Sequence, residues 1–408
     1  MASRFAIEHF RSSGVFSFDE IVAKAMSLAK ELIQPSPRPV INMTGVILHT
    51  GLGRAALGPG PACNGHVAVE FDLETGGRGD RQDLVRGLLC ELTGAEDAIV
   101  VNNCAAALFL TLRALCQDSE VVLSRGQMVE IGASFRIPDI VKESGCTLVE
   151  VGCTNKTRLS DFEAALSEKT TALLRCHPSN YRIVGFTEEP DARELASTAH
   201  DRGLLLIDDV GHGNLSDFSK FGLPRERTLR DSLADGADIV LASCDKLMGG
   251  PQAGVILGKT ELVQKIGKHP LARAVRVDKL TLLALTAVLT THAEGSAIEL
   301  PIWRYARRPS ELVKRDAQKL AKIFPWKAVV EPGLTEMGGG SMPGSGFPTW
   351  RVGLPAKSPE ALLGWLRHQY TPIIGRIEKG KVWLDPRTCE TEEVRYVSQI
   401  LKGSPKDL

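Results

Sequence analysis

A charged side chain is out of place at the end of an apolar run, and Lys246 occupies such a place. It closes Asp238-Ile-Val-Leu-Ala-Ser-Cys-Asp-Lys246, and Leu-Met-Gly-Gly-Pro-Gln-Ala-Gly254 follows. A lysine just beyond a buried strand is shielded from water. Shielding lowers its pKa and leaves a free amine able to condense with an aldehyde. Gly249 and Gly250 let the backbone bend closely around a bound ring. A lone lysine on a loop is ordinarily a solvated surface group, so this reading needs support from elsewhere in the chain.

Two upstream segments supply it. Ile207-Asp-Asp-Val-Gly-His-Gly213 ends a second apolar run about 40 residues earlier. A carboxylate there pairs with a protonated pyridine nitrogen and keeps the ring an electron sink. Asp209 is the first choice and Asp208 the second; a helix cap or a metal carboxylate is the structural alternative. Val100-Val-Asn-Asn-Cys-Ala-Ala-Ala107 runs from a strand into an alanine-rich helix. Small residues at such a start (Asn103, Cys104, Ala105) expose N–H groups to a phosphate. Phosphate cup, acid and lysine in this chain order match fold-type-I enzymes of pyridoxal 5'-phosphate (PLP). In that reading Lys246 holds PLP as a Schiff base and Ser243 belongs with the cofactor-binding residues. His177, in Arg175-Cys-His-Pro-Ser-Asn-Tyr181, either stacks on the ring or is a structural histidine. Farther on, Arg273 and Arg276 are expected on one helix face at i, i+3 spacing, two guanidinium forks suited to an anion. The basic stretch around them, Lys259 to Lys279, also fits a solvated face.

The elements that must position these groups alternate. Apolar runs fall at Ala98–Val101, Glu120–Leu123, Thr147–Val151, Thr171–Arg175, Leu204–Asp208, Asp238–Ala242 and Gly254–Leu257. Helical stretches lie between most of them, such as Asp161–Glu168 after Ser160 as cap, and Asp191–Arg202. Such alternation predicts an α/β domain with a mostly parallel seven-stranded sheet and its site beyond the carboxyl ends of the strands. The predicted division is an N-terminal helix and linker (1–37), a PLP-binding large domain (38–280) and a smaller C-terminal α+β domain (281–408). The N-terminal helix spans Ser17 to Ile33, with Ser17 and Glu20 at capping-box spacing. Helices are expected at Leu280–Thr291 and Ser310–Phe324, then turns and short strands up to Trp383.

Several blocks resemble the L-seryl-tRNA(Sec) selenium transferase (bacterial selenocysteine synthase) family. They are Arg38-Pro-Val-Ile-Asn-Met-Thr-Gly-Val-Ile-Leu-His-Thr-Gly-Leu-Gly-Arg54, Ser124-Arg-Gly-Gln-Met-Val-Glu-Ile-Gly-Ala-Ser-Phe-Arg-Ile-Pro138, Ser179-Asn-Tyr-Arg-Ile-Val-Gly-Phe186, Asp245-Lys-Leu-Met-Gly-Gly-Pro-Gln-Ala-Gly254 and Ile374-Gly-Arg376. The resemblance implies an aspartate-aminotransferase-like fold and PLP-dependent conversion of seryl-tRNA(Sec) to selenocysteinyl-tRNA(Sec), through an aminoacrylyl intermediate, with selenophosphate as donor. It also implies that Lys246 and Asp245 are catalytic, that Arg54, Arg273 and Arg276 hold the donor anion, and that the protein is a homo-oligomer. The chain departs from the family pattern at Gly51, Cys244 and His212, and in a shortened N-terminal region. The alternative is a related PLP lyase or transferase acting on a small free amino acid or amino sugar; a third possibility is a PLP-fold binding protein without activity.

Composition narrows the classes. The 408 residues are 43% hydrophobic and 24% charged, with 49 basic against 49 acidic side chains, so any contact with nucleic acid must come from a local patch. Nine cysteines with no CxxC pair read as reduced, mostly small core residues, and no metal site is expected. No signal peptide and no run of ~18 apolar residues are found, which points to the cytoplasm. Fold-type-I sites are commonly completed by a second subunit, so at least a homodimer is expected, with Thr75-Gly-Gly-Arg-Gly79 as a candidate cross-subunit loop.

Overall fold

A computed structural model describes residues 18–33, 37–58, 65–132, 135–178 and 180–405. Ser17 and most of the linker after Ile33 lie outside these residues. The helix itself runs Phe18–Ile33.

The seven expected strands all form: β1 Asp97–Val101, β2 Glu120–Ser124, β3 Thr147–Val151, β4 Thr170–Cys176, β5 Leu205–Gly211, β6 Ile239–Ser243 and β7 Gly254–Gly258. They make one sheet in the order β1-β7-β6-β5-β4-β2-β3. Only β7 runs antiparallel, against both β1 and β6. Alternation along each strand divides the core in two. Val100, Leu206, Val240 and Val255 face one layer. Val101, Ile207, Leu241 and Ile256 face the other.

A four-stranded antiparallel sheet and flanking helices form the C-terminal part, around Val352, Leu362, Leu384 and Val397. Its first two strands, Val329–Gly338 and Ser341–Leu354, are longer than the short strands expected, and a helix Thr391–Lys402 closes the chain. The Gly- and Pro-rich sequence obscured the long hairpin, because antiparallel pairing satisfies the backbone whatever the side chains. Packing crosses the expected boundary between residues 280 and 281 in two places. Ile41–Asn42 pairs in parallel with Ile373–Ile374, so this early segment packs on the C-terminal core. The helix Lys279–Ala293 buries Leu282, Leu285 and Leu289 in the large-sheet core.

Two helix expectations are corrected. The helix after β3 spans Leu159–Ala165, so Ser160 lies inside it. Asp161 accepts the Arg158 N–H at 2.8 Å and starts the helix earlier. The helix carrying Arg273 is only Leu271–Ala274. The Val275 carbonyl accepts the Asn102 N–H at 2.9 Å and Arg276 bridges to Val101, which draws the chain off the helix and Arg276 off its face.

Candidate active site

Lys246 lies three residues past the end of β6 and is only 4% exposed. Burial holds its pKa below the ordinary lysine value, although Cys104, Asp209 and Asp245 partly restore it. The turn that carries it is tightly tied. Leu247 N–H donates to His212 C=O at 2.8 Å, and Gly250 N–H to Cys244 C=O at 2.8 Å. Gly249 adopts φ +77°, which a side chain at that position disfavours.

Around Lys246 is a cavity of about 500 Å³ lined by Arg54, Asn103, Cys104, Ala105, Asp209 and Ser243. Six of the predicted residues thus meet the lysine in one space. The helix Cys104–Leu115 begins there, and Asn103 caps it by accepting the Ala106 N–H at 2.8 Å. The first N–H groups of that helix, on Cys104 and Ala105, have no partner within the helix ladder. Gly254 lets β7 pass this turn: a Cβ at 254 would lie 2.3 Å from the Asn103 carbonyl oxygen.

The two adjacent aspartates part company because strand neighbours point to opposite faces. Asp208 is 1% exposed and takes both its contacts from Arg175 Nη1 at 3.2 Å. Asp209 faces the cavity, with Cys104 Sγ 3.5 Å from Oδ1. Enclosure raises its pKa to about 6, opposed by the thiol contact and by Lys246.

Arg54 donates to Asp245 Oδ2 at 2.8 Å, leaving the buried Asp245 Oδ1 without a partner. The arginine backbone is held at φ +63°, and the next N–H, of Ala55, donates to the Asp245 carbonyl at 3.1 Å. A non-glycine residue in that conformation stores of order 1 kcal/mol of strain, a frequent companion of functional sites.

Arg273 and Arg276 do not join Arg54. They line a separate cavity of about 680 Å³ with Arg81, Lys268 and Glu70. Arg276 Nη1 contacts Glu70 Oε1 at 3.1 Å, and Arg81 binds the same carboxylate. His177 is likewise not on the wall of the Lys246 cavity. Its ring meets His212 edge-on at 5.3 Å, and burial pushes its pKa down to about 4. Gln252, Ile131, Gly132 and Phe135 line the lysine cavity without having been singled out. All four sit inside the quoted sequence blocks, the only signal that marked them.

PLP fits this space on the chain's own features. The cavity joins the shielded Lys246 amine, the Asp209 carboxyl and the open N–H groups at the start of Cys104–Leu115. Lys246 would carry the aldehyde carbon, Asp209 the ring nitrogen, and the start of Cys104–Leu115 the phosphate.

Known proteins resemble the chain along most of its length. The sequence pattern described as L-seryl-tRNA selenium transferase matches residues 40–390. The L-seryl-tRNA(Sec) selenium transferase of Carboxydothermus hydrogenoformans is 43% identical over 400 residues, covering 94% of this chain and 86% of that protein. Its counterpart from Solidesulfovibrio magneticus is 45% identical over 386 residues, covering 90% and 82%. Among solved structures, a D-glucosaminate-6-phosphate ammonia-lyase superposes with a TM-score of 0.61 at 19% identity, covering 92% of this chain and 97% of its own. At that identity the likeness extends to the fold alone.

Proposed function

Because this chain belongs to the L-seryl-tRNA selenium transferase family, we propose that it converts seryl-tRNA(Sec) to selenocysteinyl-tRNA(Sec), with PLP as cofactor and selenophosphate as selenium donor. The observation that carries this reading is identity of 43–45% with transferases of that name over about nine-tenths of the chain. The alternative, a PLP lyase acting on a free amino acid or amino sugar, is not favoured by relatives at that level.

When bound, PLP supplies an electron sink for the substrate's α-carbon. The protein's residues supply the rest. Lys246 Nζ, buried and with a lowered pKa, takes the serine α-proton and returns a proton to the departing hydroxyl. Asp209, on the wall of the same cavity, would hold positive charge on the ring nitrogen. Asp245 neighbours the lysine in the chain and accepts from Arg54 through Oδ2, which fixes the guanidinium in place. Arg54 also faces the cavity, where it can bind the donor anion. Arg273 and Arg276 remain candidates for that anion only if their cavity meets the lysine cavity of another copy. Two further features support a homo-oligomer. The loop carrying Thr75–Gly79 is exposed, and Phe71 and Leu73 beside it are 55% and 80% exposed.

The substrate is tested by titrating the PLP-loaded protein with seryl-tRNA(Sec) and, separately, with free L-serine, while recording the cofactor spectrum. A spectral change with the tRNA alone, weakening steeply as salt rises, is expected. Turnover of the free amino acid with a silent tRNA would move the assignment to the lyase.

A further inference from the structure

Outside the lysine cavity, three potential metal ligands from three separate segments converge. His177 follows β4 and is anchored by its N–H to the Asp209 carbonyl at 3.0 Å. His212 follows β5, where its carbonyl accepts Leu247 N–H at 2.8 Å. Glu226 precedes the helix Leu229–Ala234, its carbonyl held by Asn214 Nδ2 at 3.0 Å. Backbone contacts therefore hold all three.

Their side-chain spacing is informative. Glu226 Oε1 lies 3.5 Å from His212 Nε2 and 3.8 Å from His177 Nε2. The ligand atoms all fall within 4.8 Å of one another. These separations exceed the ~2.7–3.2 Å of a protein N–H···O bond. They approach the roughly 3.3 Å between neighbouring ligand atoms of a tetrahedral ion with bonds of about 2.0–2.1 Å. His212 is 0% exposed, yet its Nε2 has no hydrogen-bond partner. A buried ring nitrogen aimed at a carboxylate, and bonded to nothing, calls for an occupant.

We propose that His177 Nε2, His212 Nε2 and Glu226 Oε1 ligate a divalent transition-metal ion of the zinc type. Two imidazoles and one carboxylate suit zinc, nickel or iron better than magnesium or calcium, which require mostly oxygen ligands. A cavity of about 320 Å³, lined by His177, Glu226, Gln127 and Tyr181, leaves room for water in a fourth position. One contact opposes ligation. Asn214 N–H lies 3.3 Å from His212 Nδ1, the nitrogen that must carry the proton when Nε2 binds a metal. Metal binding must give up this long bond, which weakens the site. The site lies outside the PLP cavity walls and is independent of the substrate assigned above.

The test uses PLP-loaded protein, stripped of metal with a chelator and titrated with zinc chloride by calorimetry. One equivalent per chain is expected. X-ray absorption at the zinc edge should show nitrogen and oxygen neighbours at about 2.0–2.1 Å and no sulfur at about 2.3 Å. Glu226→Gln and His212→Gln should each weaken binding at least tenfold, with circular dichroism and melting as the check on folding. No binding below millimolar zinc, sulfur in the wild-type spectrum, or unchanged affinity in a folded Glu226→Gln protein overturns the proposal. The wild-type titration and spectrum decide the matter even if neither variant folds.

Discussion

Individual residues carry the chemistry, and their legibility differed by how local their signal was. Lys246 could be read from the sequence because the strand, the lysine and the glycines are contiguous. Reduction of the PLP-loaded protein with borohydride, followed by peptide mapping, should place the label on Lys246; label elsewhere would remove it from the account. Asp209 could be ranked ahead of Asp208, but no local signal fixes that order, because only the face each one takes decides between them. The structure puts Asp209 in the cavity and ties Asp208 to Arg175. Asp209→Asn should keep the cofactor attached yet slow turnover roughly a hundredfold, about 2.7 kcal/mol on the barrier. Equal damage from Asp208→Asn, with Asp209→Asn silent, would exchange their roles. Burial gives Asp209 a pH signature as well. Its folded pKa of about 6 stands above the ordinary aspartate value, so the folded state holds the proton more tightly. That contribution to stability is complete below pH ~4 and is lost as pH rises from about 4 to about 6, by at most about 3 kcal/mol. Cofactor-free wild type should therefore lose more melting temperature than Asp209→Asn across that window, and parallel curves would refute the burial argument. The His177, His212 and Glu226 grouping had no sequence signal. Its members stand on three segments that only the fold brings together.

Elements position those residues, and apolar period marked the strands better than capping marked the helix starts. The seven strands were visible because each is a short apolar run bounded by turns or helices. The lysine cavity depends on where β7 meets the start of Cys104–Leu115. Gly254→Val should displace that start, since its side chain would overlap the Asn103 carbonyl. Loss of both PLP content and several kcal/mol of stability is expected, read by cofactor absorbance and urea unfolding; a variant with normal PLP content would contradict the close approach. Asn103→Asp separates the two duties of that position. Aspartate still caps the helix, so stability should hold, while its charge beside the phosphate site should weaken PLP affinity at least tenfold. Unchanged affinity would place the phosphate elsewhere. The Arg273/Arg276 pair shows why element ends are hard to read. The spacing suits a helix, but a strand-end hydrogen bond from Asn102 to Val275 stops the helix before Arg276. A pairing partner more than a hundred residues distant in sequence leaves no local mark.

At the scale of the whole molecule, long-range packing was the least legible feature. The Ile41–Asn42 pairing with Ile373–Ile374 and the docking of Lys279–Ala293 on the large sheet each join segments that periodicity treats as independent. The same scale governs assembly. Arg273 and Arg276 stand in one cavity and Arg54 in another, so a donor site using all three requires a second copy. Sedimentation should give a dimer or larger, and dissociating variants at Phe71 and Leu73 should lose activity together with assembly. A fully active monomer would end that inference. Whether Lys246 chemistry places selenium on a tRNA-bound serine is tested most directly by incubating the purified protein with PLP, seryl-tRNA(Sec) and radiolabelled selenophosphate, then hydrolysing the aminoacyl ester. Labelled selenocysteine from the tRNA with wild type, and none with Lys246→Ala, is the expected result; tRNA without label in the wild-type reaction, or label retained by the Lys246→Ala protein, would contradict it.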